Sequence, residues 1–146
     1  FEPNITHRKL AQWEQEGKLA AVVTQNIDGL HQKAGSRTVY ELHGSVLRNY
    51  CTKCRKFYSA EFIRDSKSIP YEEGLDQDTV EKSIMAIRDA DLLMVAGTSL
   101  TVYPAAGLLR YYRGNRLVLI NRDATPYDGE ADLVIHDSLG SVFSQL

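Results

Sequence analysis

Three short apolar runs in the second half of the chain constrain its fold more than any other feature. They cover residues 92–96, 117–120 and 133–135, and a fourth run covers residues 19–23. Runs of this length and composition are typical of strands buried on both faces of a parallel sheet. Helical patterns separate them, so we expect an α/β fold: a Rossmann-like open parallel sheet with right-handed crossovers.

The helices are predicted from their caps and apolar faces. Asn4 or Thr6 is expected to cap a first helix. Asp78 and Glu81 resemble a capping pair at the start of a helix that precedes the run at 92–96. Gly114 is expected to end the helix that starts near residue 104, because glycine is favoured just after a helix C-terminus.

Composition narrows the class of protein. The 146 residues include 43% hydrophobic and 25% charged residues, the usual proportions of one globular domain. A net charge of −2 shows no basic footprint for direct nucleic-acid binding. No apolar run approaches the roughly 18 residues of a membrane span, and residues 1–20 lack the apolar core of a signal peptide. We therefore expect a cytoplasmic protein with neither a nucleic-acid nor a membrane partner.

Polar residues follow three of the predicted strands at their carboxyl ends, where open α/β sheets bind ligands. The short side chains and the glycine suit close approach of a nucleotide, although ordinary turn chemistry gives the same residue types. The three groups are Gln25, Asn26, Ile27 and Asp28; Gly97, Thr98 and Ser99; and Asn121, Arg122 and Asp123.

One histidine and two cysteines carry further chemistry. His43 precedes a glycine and is a candidate general base, since imidazole titrates near neutral pH, but a buried, hydrogen-bonded histidine is the simpler interpretation. Cys51 and Cys54 have the spacing of half a zinc site, which His31 and His43 could complete. A redox dithiol and two incidental thiols are the alternatives.

Together these motifs resemble the sirtuin family over nearly the whole chain. The motifs stand in the family's order: TQNIDGLH at 24–31 with Ala-Gly at 34–35, ELHG at 41–44, Cys51-x-x-Cys54, GTSL at 97–100, Val102-x-Pro104, and Asn121. The resemblance implies an NAD-dependent protein lysine deacylase that releases nicotinamide and 2′-O-acyl-ADP-ribose. It also implies two parts, a Rossmann-like NAD-binding domain at 1–46 and 71–146 and a small zinc-binding module at 47–70.

The resemblance assigns roles to individual residues. His43 matches the general base, and Asn26 and Asp28 match the catalytic positions that hold the nicotinamide carboxamide and order water. The remaining cofactor contacts match Gln25, Ile27, Gly97, Thr98, Ser99, Asn121, Arg122 and Asp123, and the structural zinc ligands match Cys51 and Cys54. An acyl-lysine peptide is expected to add as a strand between two substrate-binding segments, which contain Glu73, Gly74 and Leu75, and Val102 and Tyr103.

Two parts of the family's machinery have no match in the sequence: the N-terminal glycine-rich phosphate loop with the cofactor loop after it, and a second Cys-x-x-Cys. We therefore expect a closed-up gap at Pro70-Tyr71, with weak or missing zinc, and a loss before Phe1. The alternatives are a degenerate, non-catalytic nucleotide-binding or zinc-ribbon interaction module, and a mono-ADP-ribosyltransferase.

Overall fold

A computed structural model of the chain describes residues 1–51, 53–66 and 76–146. The predicted alternation of strands and helices is confirmed. In chain order the elements are α1 (Ile5–Gln15), β1 (Val22–Thr24), α2 (Leu30–Ala34), β2 (Val39–Glu41), β3 (Asn49–Tyr50), β4 (Phe57–Tyr58), α3 (Ala60–Asp65), α4 (Gln77–Arg88), β5 (Leu93–Ala96), α5 (Ala105–Leu108), β6 (Leu117–Ile120), β7 (Leu133–Ile135) and α6 (Leu139–Phe143). Two 3-10 turns, Leu109–Tyr111 and Asp128–Glu130, precede β6 and β7 respectively.

The strands form parallel ladders, as the α/β prediction requires. Strands β5, β6 and β7 pair in that order, and all three are parallel. Strand β1 pairs in parallel with β2, so Thr24 lies opposite Glu41. Strands β3 and β4 form a short antiparallel hairpin around the two cysteines. All parallel strands therefore deliver their carboxyl ends to loops that can share a site.

The core is centred on β6 and on the helices packed against it. Leu117, Leu119 and Ile120 of β6 are buried, since β6 has a strand on each side. Strand β5 is only half-buried, and Leu92 before it is 48% exposed. The expectation that this run is buried on both faces is wrong, because the residues of β5 on both faces keep part of their surface exposed.

The helix caps agree with the sequence in one case and differ in two. Asn4 caps α1, and its side chain accepts a hydrogen bond from the backbone N–H of His7. Helix α4 is capped by Asp76, two residues before the predicted Asp78, because the Asp76 carboxylate accepts hydrogen bonds from both the N–H and the hydroxyl of Thr79. Gly114 does not end a helix, since the chain is already extended at Tyr112.

Some predictions concern residues outside the described ranges. These are the gap at Pro70-Tyr71 and the substrate-binding residues Glu73, Gly74 and Leu75. The division into two domains at 46–47 and 70–71 stays a prediction. No helix in the described part of the chain is both long enough and apolar enough to cross a bilayer.

Candidate active site

His43 lies beside the residues that follow β1. Its ring is half-buried, and the Nδ1 atom is 3.2 Å from the backbone carbonyl oxygen of Gln25. A carbonyl oxygen only accepts hydrogen bonds, so Nδ1 must carry the proton in this contact. In the neutral ring the lone pair then belongs to Nε2. The backbone thus selects the tautomer that a general base needs.

The pairing of β1 with β2 places His43 there. The N–H of Leu42 donates to the carbonyl oxygen of Thr24 at 2.9 Å, which extends the parallel ladder to the residue before His43. The chain then turns at Gly44, whose φ of 72° favours glycine. The side chain of Glu41 is only 2% exposed and pairs with Arg48. This ion pair ties the end of β2 to the following loop.

Asn26 and Asp28 are exposed in the turn between β1 and α2. The N–H of Asn26 donates to the Thr24 hydroxyl at 3.1 Å, so the side-chain amide of Asn26 stays available. One oxygen of Asp28 accepts a hydrogen bond from the N–H of Leu30 at 3.0 Å, at the start of α2. Ile27 is 39% exposed. The predicted nicotinamide contacts are therefore open to a ligand and held by the local backbone.

Two other histidines belong to the packing of α1 on α2. The rings of His7 and His31 are 4.6 Å apart between centroids, and both residues are buried. Burial lowers the pKa of both side chains, and the charge of Asp28 opposes this in part. Both rings are thus held in the neutral state, as expected for core histidines.

A second group of residues lies where β5, β6 and β7 end. Gly97 follows β5 with a φ of 64°, and its N–H donates to the carbonyl oxygen of Ile120 at 3.0 Å. A Cβ atom at Gly97 would lie 3.0 Å from the Cδ1 atom of Leu139. Thr98 and Ser99 continue this loop, and the Ser99 hydroxyl lies 2.7 Å from that of Thr101. The positive φ at Gly97 favours glycine, and any side chain there would also have to displace Leu139.

These strand ends enclose a cleft of about 470 Å³. It brings together the predicted Gly97, Asn121, Arg122 and Asp123 with four residues that the sequence reasoning missed. The missed residues follow β7: Asp137, Ser138, Leu139 and Gly140. Hydrogen bonds from the Ser138 N–H and the Ser141 hydroxyl lower the pKa of Asp137. The strand-end rule, applied to β7 as it was to β5 and β6, would have identified them.

The predicted peptide segment at Val102 and Tyr103 lies next to the His43 side of the site. The side-chain amide of Gln25 donates to the carbonyl oxygen of Val102 at 3.4 Å. Both Val102 and Tyr103 are exposed, at 52% and 76%. One residue, Gln25, therefore contacts both the candidate base and the candidate peptide-binding segment.

The two cysteines predicted to ligate zinc are both free thiols, and their zinc role stays a prediction. Backbone N–H groups of Cys54 and Lys53 point at the Cys51 sulfur and lower the pKa of its thiol, which favours the thiolate that binds zinc. The suggestion that His31 and His43 complete the site is wrong. No three histidine, cysteine or acidic side chains of the described ranges cluster as metal ligands, and His31 packs on His7. A structural zinc takes four ligands, so these residues do not hold it alone.

Comparison with known proteins finds a matching family, relatives and solved structures with the same fold. Residues 1–73 match the Sir2 family. The NAD-dependent protein deacetylases of Clostridium acetobutylicum and Clostridium perfringens are 55% and 53% identical over 97% and 99% of this chain. A solved structure of Sir2 with a p53 peptide and NAD⁺ superimposes with a TM-score of 0.87 at 36% identity, and covers 99% of this chain. Sir2 bound to an acetylated peptide gives a TM-score of 0.88 at 36% identity, also over 99% of this chain.

The chain spans 64% and 66% of the length of the two Clostridium relatives, and 68% and 69% of the two Sir2 structures. The alignment with the C. acetobutylicum protein extends over 157 residues, more than the 146 of this chain. That relative therefore carries residues inside the aligned region that have no counterpart here. On the family match, the sequence identity and the shared fold, this chain belongs to the Sir2, or sirtuin, family.

Proposed function

We propose that this protein is an NAD-dependent protein lysine deacylase. The observation that carries the proposal is the contact between His43 Nδ1 and the Gln25 carbonyl, which leaves Nε2 as a base beside an open polar turn. The other parts of the proposed site fit around it. Asn26 and Asp28 lie on one side, and the exposed segment at Val102 lies on the other.

The residues fit an NAD molecule extended along the strand ends. Its adenosine and phosphate half would lie in the cleft lined by Gly97 and Asn121, where the hydroxyls of Thr98 and Ser99 follow the glycine. Its nicotinamide half would lie at Asn26 and Asp28. When bound, NAD supplies the ribose carbon that receives the acyl oxygen as nicotinamide leaves. Binding of the adenosine half would position that carbon.

His43 would act on the ribose hydroxyls. Its Nε2 atom takes a proton from a hydroxyl, and the ring then carries a positive charge. The Gln25 carbonyl continues to accept the Nδ1–H bond, and that bond strengthens because a charged donor makes a stronger hydrogen bond. The same backbone contact therefore orients the neutral ring and stabilises the protonated one, as a general base requires.

The acyl-lysine peptide would bind through its main chain at Val102 and Tyr103. Main-chain pairing tolerates varied peptide sequences, which suits an enzyme that acts on several proteins. The Gln25 contact to the Val102 carbonyl would place the acyl-lysine near the turn that holds Asn26. We also propose a cytoplasmic location, where the free thiols of Cys51 and Cys54 would stay reduced.

The test is release of nicotinamide from NAD in the presence and absence of an acetyl-lysine peptide. A deacylase releases nicotinamide only with the acylated peptide, and 2′-O-acetyl-ADP-ribose accumulates in equal amount. A non-catalytic nucleotide-binding or interaction module releases none. A mono-ADP-ribosyltransferase releases nicotinamide without an acyl group and modifies an acceptor protein instead. Either of the last two results contradicts the proposal.

A further inference from the structure

His136 joins three elements at the adenosine end of the cleft. It directly follows β7, and its Nδ1 atom lies 3.2 Å from the backbone carbonyl oxygen of Asn121 at the end of β6. Its Nε2 atom lies 3.2 Å from a carboxylate oxygen of Asp128 in the 3-10 turn. The loop at residues 121–128 is thus fastened to β7 at both of its ends by one imidazole.

Both ring nitrogens face groups that only accept hydrogen bonds. A neutral imidazole has one N–H, so it could donate to the Asn121 carbonyl or to the Asp128 carboxylate, but not to both. The protonated ring has two N–H groups and satisfies both contacts at once. His43 differs in this respect, because it faces a single carbonyl acceptor among its described contacts.

The loop held in this way forms one wall of the cleft. Asn121, Arg122 and Asp123 line it, together with residues 137–140, which directly follow His136. The N–H of Asn121 pairs with the carbonyl oxygen of Ile135 at 3.1 Å, the last backbone rung between β6 and β7. The His136 imidazole makes the next contact after this last backbone hydrogen bond. It therefore sets the distance between the loop after β6 and the residues after β7.

The surroundings of the ring are charged and partly exposed. Asp128 faces it from the 3-10 turn, and the other oxygen of that carboxylate is held by the N–H and hydroxyl of Thr125. Asp137 is its neighbour in the chain, and Arg122 on the loop acts on the Asp137 carboxylate. The His136 side chain is 46% exposed, so protons reach it from solvent.

We propose that protonated His136 is a positioning residue that holds loop 121–128 against β7 and so shapes the site for the adenosine half of the dinucleotide. This inference rests on the proposed function. It adds that affinity for the adenosine half increases when the ring is protonated. Histidine side chains change charge between pH 5 and 8, so the effect falls within an accessible range.

The experiment measures binding of ADP-ribose by calorimetry at pH 6 and pH 8, for the unaltered chain, His136→Gln and Asp128→Ala. ADP-ribose is a suitable probe because its pyrophosphate keeps its charge across this range. The unaltered chain should bind about 5- to 20-fold more tightly at pH 6, the order of one charge-assisted hydrogen bond. Both variants should bind with the weaker affinity at both pH values.

A control and a second measurement separate positioning from general damage. Asp78→Asn removes an exposed carboxylate that pairs with Lys82 at 2.6 Å on α4, and it should leave the pH dependence unchanged. Amide hydrogen exchange at residues 121–128 should become faster in both site variants, while exchange in β5 stays unchanged. If the affinity for ADP-ribose is the same at both pH values and in both site variants, this inference alone is overturned. Absence of ADP-ribose binding by the unaltered chain at both pH values overturns the proposed function and this inference together.

Discussion

The two ends of the proposed dinucleotide site are built differently. At the β1–β2 end, the proposed chemistry is assigned to individual side chains on locally hydrogen-bonded backbone: His43, Asn26 and Asp28. At the β5–β7 end, the cleft depends on the path of the backbone, where Gly97 passes close to Leu139. The proposed chemistry therefore depends on side chains that act on the substrate, whereas dinucleotide binding depends on a backbone path that Gly97 and the His136 contacts set.

The histidines that support the two ends differ in the same way. His7 and His31 are buried against each other beneath the β1–β2 end, and burial favours their neutral state. His136 is partly exposed at the other end, and both of its contacts are with acceptors, to which a protonated ring would donate at once. Acid should therefore destabilise the packing of α1 on α2 beside the proposed catalytic end. It should strengthen the His136 contacts at the proposed adenosine end. The surroundings of each ring, rather than the residue type, decide whether acid stabilises or destabilises that part of the fold.

The largest expected effect is at His43. His43→Ala should lower the rate of deacylation by about 10²- to 10⁴-fold, the usual contribution of a general base. Affinity for ADP-ribose should change little, because the adenosine cleft is lined by other residues. His136→Gln is the matched control, with the opposite pattern of weaker binding and little change in the rate at saturating NAD. Near-normal deacylation by His43→Ala would remove the distinction between the two ends.

A smaller loss is expected from Gly97→Val. A φ of 64° costs a side chain about 1–2 kcal/mol, and a β-branched residue more, while the new Cβ would crowd Leu139. Affinity for ADP-ribose should fall by about 10-fold or more in calorimetry. Gly129→Ala is the control, since nothing lies within 4 Å of a Cβ atom there. Unchanged affinity in Gly97→Val would mean that the backbone at this point is not part of the site.

The sequence predicted those features that depend on neighbours in the chain. Strand ends at Ala96 and Ile120 follow from apolar runs and the polar residues after them, whereas the run at 19–23 corresponds to a strand over Val22–Thr24. Asn4 as a cap follows from its position before a helical pattern. The family motifs added the roles of His43 and Asn26 as predictions. None of these inferences needs knowledge of how distant segments pack.

The features that the sequence missed have two causes. Some depend on contacts between distant segments, and others require a choice between residues that suit the same role equally well. The role of His136 needs Asp128, which the loop brings back to the ring. Asp76 and Asp78 are equally suitable caps in the sequence, but Asp78 pairs with Lys82 instead. The residues after β7 resemble an ordinary serine-capped helix start, and only the fold of β5–β7 shows that they line the cleft.

The buried histidine pair predicts acid sensitivity. Because burial lowers the pKa of His7 and His31, the unfolded chain binds more protons than the folded chain below the ordinary histidine pKa of about 6.5. The free energy of unfolding should therefore fall as the pH drops below that value, by at most about 1.4 kcal/mol per pH unit for each ring. Urea unfolding at pH 7.5 and pH 5 measures the loss.

A substitution identifies the source of this acid sensitivity. His31→Leu removes one of the two titrating rings, so the difference between the two pH values should shrink. His136→Gln removes a partly exposed ring that lies outside the buried pair, so the loss on acidification should be at least as large as in the unaltered chain. An equal loss of stability on acidification in His31→Leu and the unaltered chain would show that another group causes it.

The smallest effect is expected from Ser138→Ala, in the cleft that Asn121 also lines. The Ser138 hydroxyl accepts a hydrogen bond from the N–H of Ser141 at 3.1 Å and caps α6, so its loss should cost about 1 kcal/mol of stability. Affinity for ADP-ribose should stay within about twofold, because a cap of this strength fixes the turn without shaping the loop after β6. Ser144→Ala, at the exposed end of the same helix, is the matched control. A loss of affinity beyond about tenfold in Ser138→Ala alone would mean that this end recognises its ligand through a specific hydroxyl. The two ends of the site would then not differ in the way described above.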